Sequence, residues 1–244
     1  MLKSALTARL ERYLDLTTEE KDALDWAERR EQRVRAGVQL TREGEPNDRL
    51  FIVQQGWLHS STTLASGARQ ILRFHYAGDL IGTSSIAWSY ASNTLTAVSD
   101  CVISELSKVN LGRIFKAQPR LAGLLYAVAS AENVAMSDRL ASIGRTGAVE
   151  RLSTLLLDML ARLRTTAGGV VDSFELPLTQ ADLGDAVGLT KVHVNRTIRE
   201  MERRDLIERN GKRVRIKNES ELVHAVGFVD RYHEIATDWL PAAA

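Results

Sequence analysis

The sequence of 244 residues has little of several features that mark particular protein classes. Cys101 is its single cysteine, which excludes an intramolecular disulfide and a zinc site built on several cysteines. No run of about 18 apolar residues is present, so we expect no membrane span. The first residues carry charges every few positions and lack the apolar core of a signal peptide, which predicts a cytoplasmic location.

An excess of charge of one sign is also absent. The chain has 32 Lys and Arg against 31 Asp and Glu, a formal net charge of +1. This balance excludes only a uniformly basic protein, because an average can conceal a local patch. Residues 191–217 do form such a patch: they contain ten Lys and Arg and four Asp and Glu, a local +6, which leaves −5 over the rest of the chain.

The spacing of apolar residues divides the remainder of the chain. Residues 1–30 have helical spacing, and Thr17 with Glu20 predicts a capping box. From residue 34 to 106, short apolar runs alternate with turn residues about every ten positions, which is typical of an antiparallel sandwich or barrel. Residues 120–143 predict a long helix, either in the core of one chain or, as we favour from its place between two modules, at a dimer contact.

The strongest pattern is a helix-turn-helix after residue 178. Thr179 predicts the start of a short helix, Gly188 its end, and Thr190 the start of a second helix. Residues 206–216 form two apolar runs around an Asn-Gly turn, which predicts a hairpin, the wing. The basic patch coincides with the second helix and the wing and therefore predicts contact with DNA phosphates. The alternative, a solvated charged face, requires this coincidence to be accidental.

The first two turns of the second helix enter the major groove in this motif. Arg196 suits guanine, Asn195 suits adenine or a phosphate, and Val192 suits the methyl group of thymine. His193 fits a DNA contact and a plain surface position equally well. The predicted base-reading residues are Val192, His193, Asn195 and Arg196. The predicted phosphate contacts are Thr179, Thr190, Lys191, Arg199, Lys212 and Arg213.

In this order of modules the chain resembles the Crp/Fnr family of bacterial transcription regulators over roughly residues 20–217. The motifs that carry the resemblance are Arg42-Glu-Gly44-Glu45, Gln55-Gly56, Tyr76-Ala-Gly78-Asp79, Ile81-Gly82, Leu178-Thr-Gln-Ala-Asp-Leu183, Val187-Gly188 and Val194-Asn-Arg196. The resemblance implies an α+β fold: a β jelly-roll effector domain of the cyclic-nucleotide-binding type with N-terminal helices (1–117), a dimerisation helix (118–144) and a winged helix-turn-helix domain with a C-terminal helix (145–244). It also implies a homodimer through helix 120–143, a double-stranded inverted-repeat operator, and RNA polymerase as a candidate partner.

The family's cyclic AMP site is not matched at the positions that hold the nucleotide. Members that bind cyclic AMP have a Glu that holds the ribose and, about ten residues later, an Arg-Ser pair that holds the phosphate. Thr83 stands at the Glu position here, and Asn93 and Thr94 stand at the Arg-Ser position. A phosphate would lack its charge-assisted partner, so we expect no standard cyclic AMP binding. An unknown small effector stays open, with a candidate pocket formed by Gly82, Thr83, Asn93, Thr94 and Asn133.

Other cofactors and activities are not supported by the residues. One cysteine cannot ligate an iron–sulfur cluster, and lone strand histidines such as His59 and His75 are more often packed than bound to haem, so no cofactor and no metal are predicted. No catalytic motif is present, and we expect no enzyme. The alternative function is a small-ligand, redox or haem sensor module whose main output is contact with RNA polymerase. Residues 218–243 carry an amphipathic stripe that predicts a helix on the DNA-binding domain, with a partner contact as the alternative.

Overall fold

A computed structural model of the chain describes residues 4–167 and 171–243. The helices are α1 (Ala5–Leu10), α2 (Thr18–Ala27), α3 (Lys108–Ala117), α4 (Pro119–Arg145), α5 (Ala148–Ala167), α6 (Gln180–Val187), α7 (Lys191–Arg203) and α8 (Glu219–Val226). The strands are β1 (Glu31–Val34), β2 (Gln39–Thr41), β3 (Arg49–Gln55), β4 (Leu58–Thr63), β5 (Arg69–His75), β6 (Leu80–Ile81), β7 (Thr94–Ala97), β8 (Cys101–Ser107), β9 (Ser173–Glu175), β10 (Ile207–Asn210) and β11 (Arg213–Ile216). The predicted order of a β-rich domain, a long helix and a helix-turn-helix is confirmed.

Two four-stranded sheets make up the β-rich part. Their strand orders are β1-β8-β3-β6 and β2-β7-β4-β5. A shared apolar core lies among residues of both sheets, including Phe51, Val53, Leu58, Leu95 and Ile103. Alternate residues of β8 are the buried ones at its start, as the period of two in a strand requires. The arrangement agrees with the predicted jelly-roll.

The described residues fall into two compact units. The N-terminal unit contains those within 1–62, 73–131 and 234–244, and the C-terminal unit those within 63–72 and 132–233. The division falls inside α4, whereas the sequence predicted boundaries at 117/118 and 144/145. It also assigns the tip of the β4–β5 hairpin to the C-terminal unit and the end of the chain to the N-terminal unit.

The C-terminal extension differs from its predicted single helix. α8 ends at Val226, because Gly227 adopts a left-handed conformation with φ 62° and closes the helix. Ile235 and Leu240, which lie beyond this break, pack against a core cluster of the N-terminal unit. The prediction of one helix over residues 218–243, made from the amphipathic stripe, is therefore wrong beyond Gly227.

None of the helices in the described ranges is long and apolar enough to cross a membrane. The longest one, α4, has 27 residues and begins with Pro119, a residue suited to the first helical position because its missing N–H has no partner there. The predicted helix at 120–143 is thus present and slightly longer.

Candidate DNA-binding surface

The helix-turn-helix is fixed by local capping. Thr179 caps α6 in a full capping box: its Oγ1 accepts from Asp182 N at 3.1 Å, and Asp182 Oδ2 accepts from Thr179 N at 2.9 Å. Gly188 ends α6 with φ 69°. Thr190 then caps α7 by accepting from His193 N at 3.3 Å. The three caps predicted from the sequence are confirmed.

The buried face of α7 leaves its other face to solvent. Val194, Ile198 and Met201 are at most 5% exposed. Val192 is 70% exposed, although it is apolar and stands between Lys191 and His193, which are also exposed. The amphipathic pattern of α7 therefore anchors the helix by one side and presents its N-terminal turns to the outside.

A surface groove runs along this outer face. It is lined by Gln180, Lys191, Val192, Asn195, Arg196, Arg199, Glu200 and Arg203. Three of the four predicted base-reading residues are in the groove, together with two of the predicted phosphate contacts. His193 is exposed on the same turn but does not line the groove.

Gln180 and Arg203 also line this groove, although neither was predicted from the sequence. Gln180 is the first residue of α6, directly after the N-cap, and this position in the motif was a signal that could have identified it. Its uncharged amide adds an NH2 group with two donor hydrogens and a carbonyl acceptor to the groove that Asn195 and Arg196 line.

Ion pairs neutralise part of the basic patch. Four of its cations are paired: Arg203 with Glu200, Arg209 with Glu202 at 2.8 Å, Arg215 with Asp172 at 3.0 Å, and Lys217 with Asp205 at 2.6 Å. Lys191, Arg196 and Arg199 have no acidic partner among the residues that the structure describes. Six of the ten cations of the patch thus have no acidic partner among the described residues, and three of these six line the groove.

Two carboxylates of α6, those of Asp182 and Asp185, form ion pairs with one arginine. Asp182 Oδ1 accepts from Arg69 Nη2 at 2.6 Å, and Asp185 Oδ2 accepts from Arg69 Nε at 2.7 Å, all within the C-terminal unit. Burial acts to raise the pKa of Asp182, but its hydrogen bonds with Thr179 and the pair with Arg69 outweigh it and hold the pKa below the usual value. Asp182 therefore stays ionised and its charge is compensated.

The other predicted phosphate contacts differ in whether their side-chain donors already have a hydrogen-bond partner. The hydroxyl of Thr179 donates to Asp182 Oδ2 at 2.7 Å, so a phosphate would have to replace this bond. Thr190 uses only its acceptor side for the cap, which leaves its hydrogen for a phosphate. On the wing, Lys212 is exposed, whereas the guanidinium of Arg213 donates to Ser173 Oγ at 3.0 and 3.1 Å.

The candidate effector residues lie in two places. Gly82 has φ 101° and precedes a short 3-10 turn, Thr83–Ser85. Ser85 Oγ contacts Ser92 Oγ at 2.9 Å, which brings this turn close to the segment that contains Asn93 and Thr94. Asn133 is exposed on α4 and belongs to the C-terminal unit, whereas the other four belong to the N-terminal unit.

Residues 82–94 are called the effector segment, and several of their polar groups already have partners. Thr94 Oγ1 accepts from Glu43 N at 3.1 Å, and the amide of Asn93 donates to Ser92 Oγ at 3.1 Å. The ammonium of Lys108 donates to the carbonyl oxygens of Ser85, at 2.9 Å, and of Trp88. Lys108 of α3 therefore joins two backbone carbonyls of the effector segment through one ammonium group.

Both halves of the chain match known families. A model of the Crp-like helix-turn-helix domain matches residues 150–225, and a model of the cyclic nucleotide-binding domain matches residues 31–118. The chain is 26% identical over 212 residues to the fumarate and nitrate reduction regulatory protein of Vibrio cholerae, covering 87% of this chain and 84% of that protein. It is 27% identical over 214 residues to the transcriptional activator protein anr of Pseudomonas aeruginosa, covering 88% and 87%. The solved structure of FixK2 from Bradyrhizobium japonicum is similar with a TM-score of 0.71 and 27% identity, covering 80% of this chain and 96% of that one.

The chain belongs to the Crp/Fnr family. It is a DNA-binding transcription regulator of the Crp/Fnr type. All ten predicted DNA contacts of this Crp/Fnr regulator fall within the matched helix-turn-helix stretch, and Gly82, Thr83, Asn93 and Thr94 fall within the matched cyclic-nucleotide stretch. Asn133 lies outside both. The homodimer, the behaviour toward cyclic AMP and contact with RNA polymerase stay predictions.

Proposed function

We propose that this Crp/Fnr regulator binds an inverted-repeat DNA site as a homodimer, with α7 of each copy in a major groove. The observation that carries the proposal is the groove along α7, where Lys191, Arg196 and Arg199 lie beside Asn195 without an acidic partner among the described residues. Recognition helices of such dimers lie about 34 Å apart, one turn of DNA. We therefore expect two half-sites separated by about 10 base pairs from centre to centre.

Base readout and phosphate contact are assigned to different parts of this surface. Arg196 lies in the second turn of α7. From there its guanidinium can donate two hydrogen bonds to one guanine, one to O6 and one to N7. Lys212 lies at the tip of the wing, where an ammonium reaches the phosphate backbone as a point charge. Arg196 thus contributes to sequence preference, and Lys212 to affinity for any sequence.

The test is a comparison of two variants on specific and scrambled DNA by fluorescence anisotropy over a range of salt. Arg196→Ala should lower specific affinity by about 1–3 kcal/mol and reduce the ratio of specific to scrambled binding. Lys212→Ala should weaken both DNAs to the same extent and lower the salt slope by about one.

A matched control removes the same charge at a residue that does not line the groove. Arg113 is exposed on α3, and its guanidinium donates to Asn110. Arg113→Ala should leave both affinities and the salt slope unchanged. If Arg196→Ala weakens specific and scrambled DNA equally, its assignment as a base reader is wrong.

The homodimer is supported by a stripe of exposed residues on α4. These residues recur at alternating steps of four and three, the heptad spacing of a two-helix seam, and are Tyr126, Ser130, Asn133, Ser137 and Leu140. The two ends of the stripe are apolar, with Tyr126 71% and Leu140 74% exposed. Ser130 Oγ and Ser137 Oγ donate to the carbonyls four residues earlier, so the two hydroxyls need no partner across the seam. A second copy of α4 would cover this stripe.

Sedimentation of the intact protein tests the seam. Leu140→Asp places a charge in the contact and should shift the dimer toward monomer at micromolar concentration. Val109→Asp is the matched control, because Val109 is 68% exposed and lies on α3, not in the stripe. A monomeric unmodified protein, with and without DNA, would contradict the homodimer.

We further propose that cyclic AMP in its standard binding mode is not the effector. No Arg lies between Arg73 and Arg113. The lysine that contacts the effector segment, Lys108, already donates to two of its carbonyl oxygens. A cyclic phosphate would find hydroxyls and backbone N–H groups there but no free cation among the described residues of the segment, and charge-assisted bonds are roughly twice as strong as neutral ones.

Isothermal titration with cyclic AMP checks this part. The expected result is no saturable heat in the micromolar range. Micromolar binding with one site per subunit would overturn it, and would leave the DNA-binding part of the proposal intact.

A further inference from the structure

Val192 is the exception on an otherwise polar reading surface. It lies in the first turn of α7, is 70% exposed, and lines the same groove as Asn195 and Arg196. The helix does not need it for folding, since the buried face is supplied by Val194 and Ile198. A branched alkyl group held out among cations gains free energy only when a binding partner covers it.

The charged groups near Val192 restrict what that partner can be. The carboxylates closest in the motif are committed: Glu200 to Arg203, and Asp182 and Asp185 to Arg69. Of these, Glu200 lines the groove, and the other acceptors there are the amide oxygens of Gln180 and Asn195. The side chain of Val192 itself offers an alkyl group and no acceptor for the amino group of cytosine.

The apolar group of a base edge in the major groove is the 5-methyl of a pyrimidine. Thymine carries it, cytosine lacks it, and 5-methylcytosine carries it at the same position of the ring. We propose that Val192 makes one position of each half-site selective for a 5-methylpyrimidine, so that the methyl group itself decides the preference there. This inference rests on the proposed DNA binding through α7.

The size of the effect follows from burial of one methyl group. Covering one such group gains about fourfold in affinity, and a symmetric dimer that covers two gains about fifteenfold.

The experiment uses an operator enriched from random DNA with the intact, unmodified protein. Each thymine, with its symmetry mate, is replaced in turn by deoxyuridine, which removes only the methyl group, and affinity is measured by anisotropy. At one thymine position per half-site we expect a loss of about fifteenfold for the symmetric replacement. At that position 5-methylcytosine should bind more tightly than cytosine by a similar factor.

Two variants connect the effect to the side chain. With Val192→Ala, the ratio between thymine and deoxyuridine operators should fall to about one, while Val192→Thr, which keeps one methyl group, should retain part of it. Val229→Ala is the control: Val229 is 52% exposed in the C-terminal unit, outside the groove, and the variant should keep the full ratio.

The outcomes separate this inference from the function on which it rests. If the protein enriches no sequence at all, the proposed function fails and this inference falls with it. If it enriches an operator but no deoxyuridine replacement weakens binding, only the role of Val192 is overturned. The same holds if Val192→Ala keeps the full methyl dependence.

Discussion

Gly184→Ala is a small change at the tightest point of the helix-turn-helix. Gly184 is in α6, and its carbonyl accepts from Leu189 N at 3.0 Å as the chain turns toward α7. A Cβ at this position would lie 2.3 Å from the carbonyl oxygen of Leu189 and 3.5 Å from Val194 Cγ2. Ordinary carbon–oxygen contacts are about 3.3–3.6 Å long, so the turn would have to retreat by about 1 Å.

The free energy of this change can be bounded from its parts. Overpacking of a close contact costs about 1–3 kcal/mol. Weakening the bond from Leu189 N to the Gly184 carbonyl costs about 1 kcal/mol more. Alanine regains about 1 kcal/mol through its higher helix propensity. The net expectation is a loss of about 1–3 kcal/mol in the free energy of unfolding, together with a displaced α7.

Urea unfolding followed by circular dichroism measures the first effect, and anisotropy with operator DNA measures the second. Gly112→Ala is the matched control, because Gly112 is inside α3 and an added Cβ there meets nothing within 4 Å. The control should be neutral or stabilising by up to about 1 kcal/mol. If Gly184→Ala is as stable as the control and binds DNA normally, the close approach does not constrain the turn.

Three further predictions concern buried ionisable groups of the N-terminal unit. Asp79→Asn should destabilise the protein by about 3–5 kcal/mol in urea unfolding, because Asp79 forms a buried 2.6 Å ion pair with Arg9. Asp172→Asn removes a carboxylate from the exposed pair with Arg215 and should cost under about 1 kcal/mol. Equal costs for the two variants would contradict this reasoning. Burial raises the pKa of the Glu28 carboxyl above its usual value, so the protonated carboxyl stabilises the fold at low pH and this stabilisation is lost as the pH rises through the folded pKa. Glu28→Gln cannot ionise, so its free energy of unfolding should rise relative to that of the unmodified protein between pH 4 and pH 7. A difference that stays constant over this range would refute the argument. Burial also raises the pKa of Cys101, so its thiol should react with a maleimide far more slowly in the native than in the urea-unfolded protein, and equal rates would show that it is exposed.

The parts of the fold that follow from local rules were predictable from the sequence. The capping residues Thr17, Thr179 and Thr190 act where predicted, because a cap needs only the side chain and the next three residues. The wing forms where predicted, but its two-residue turn is Gly211-Lys212 and not the predicted Asn210-Gly211, because Asn210 pairs with Arg213 in the strands. Gly211 has φ 60°, a conformation that glycine adopts readily. These local signals are sufficient to predict where α6, α7 and the wing lie in the chain.

Features that depend on distant partners were not predictable in the same way. The strand Ser173–Glu175 joins the wing as a third strand, although three residues carry no clear periodicity of their own. The ion pairs that remove Arg209 and Arg215 from the basic patch depend on which acids the fold brings near. The stripe from Leu222 to Trp239 has helical spacing, but the left-handed conformation at Gly227 interrupts it.

The most direct test of the central claim is selection of DNA from a random library by the intact protein, in parallel with Arg196→Ala. We expect the unmodified protein to enrich one inverted repeat with half-site centres about 10 base pairs apart, and the variant to lose or relax the enriched base at one position of each half-site. Enrichment of no sequence, or of the same sequence with equal strength by the variant, would contradict a DNA-reading role for α7.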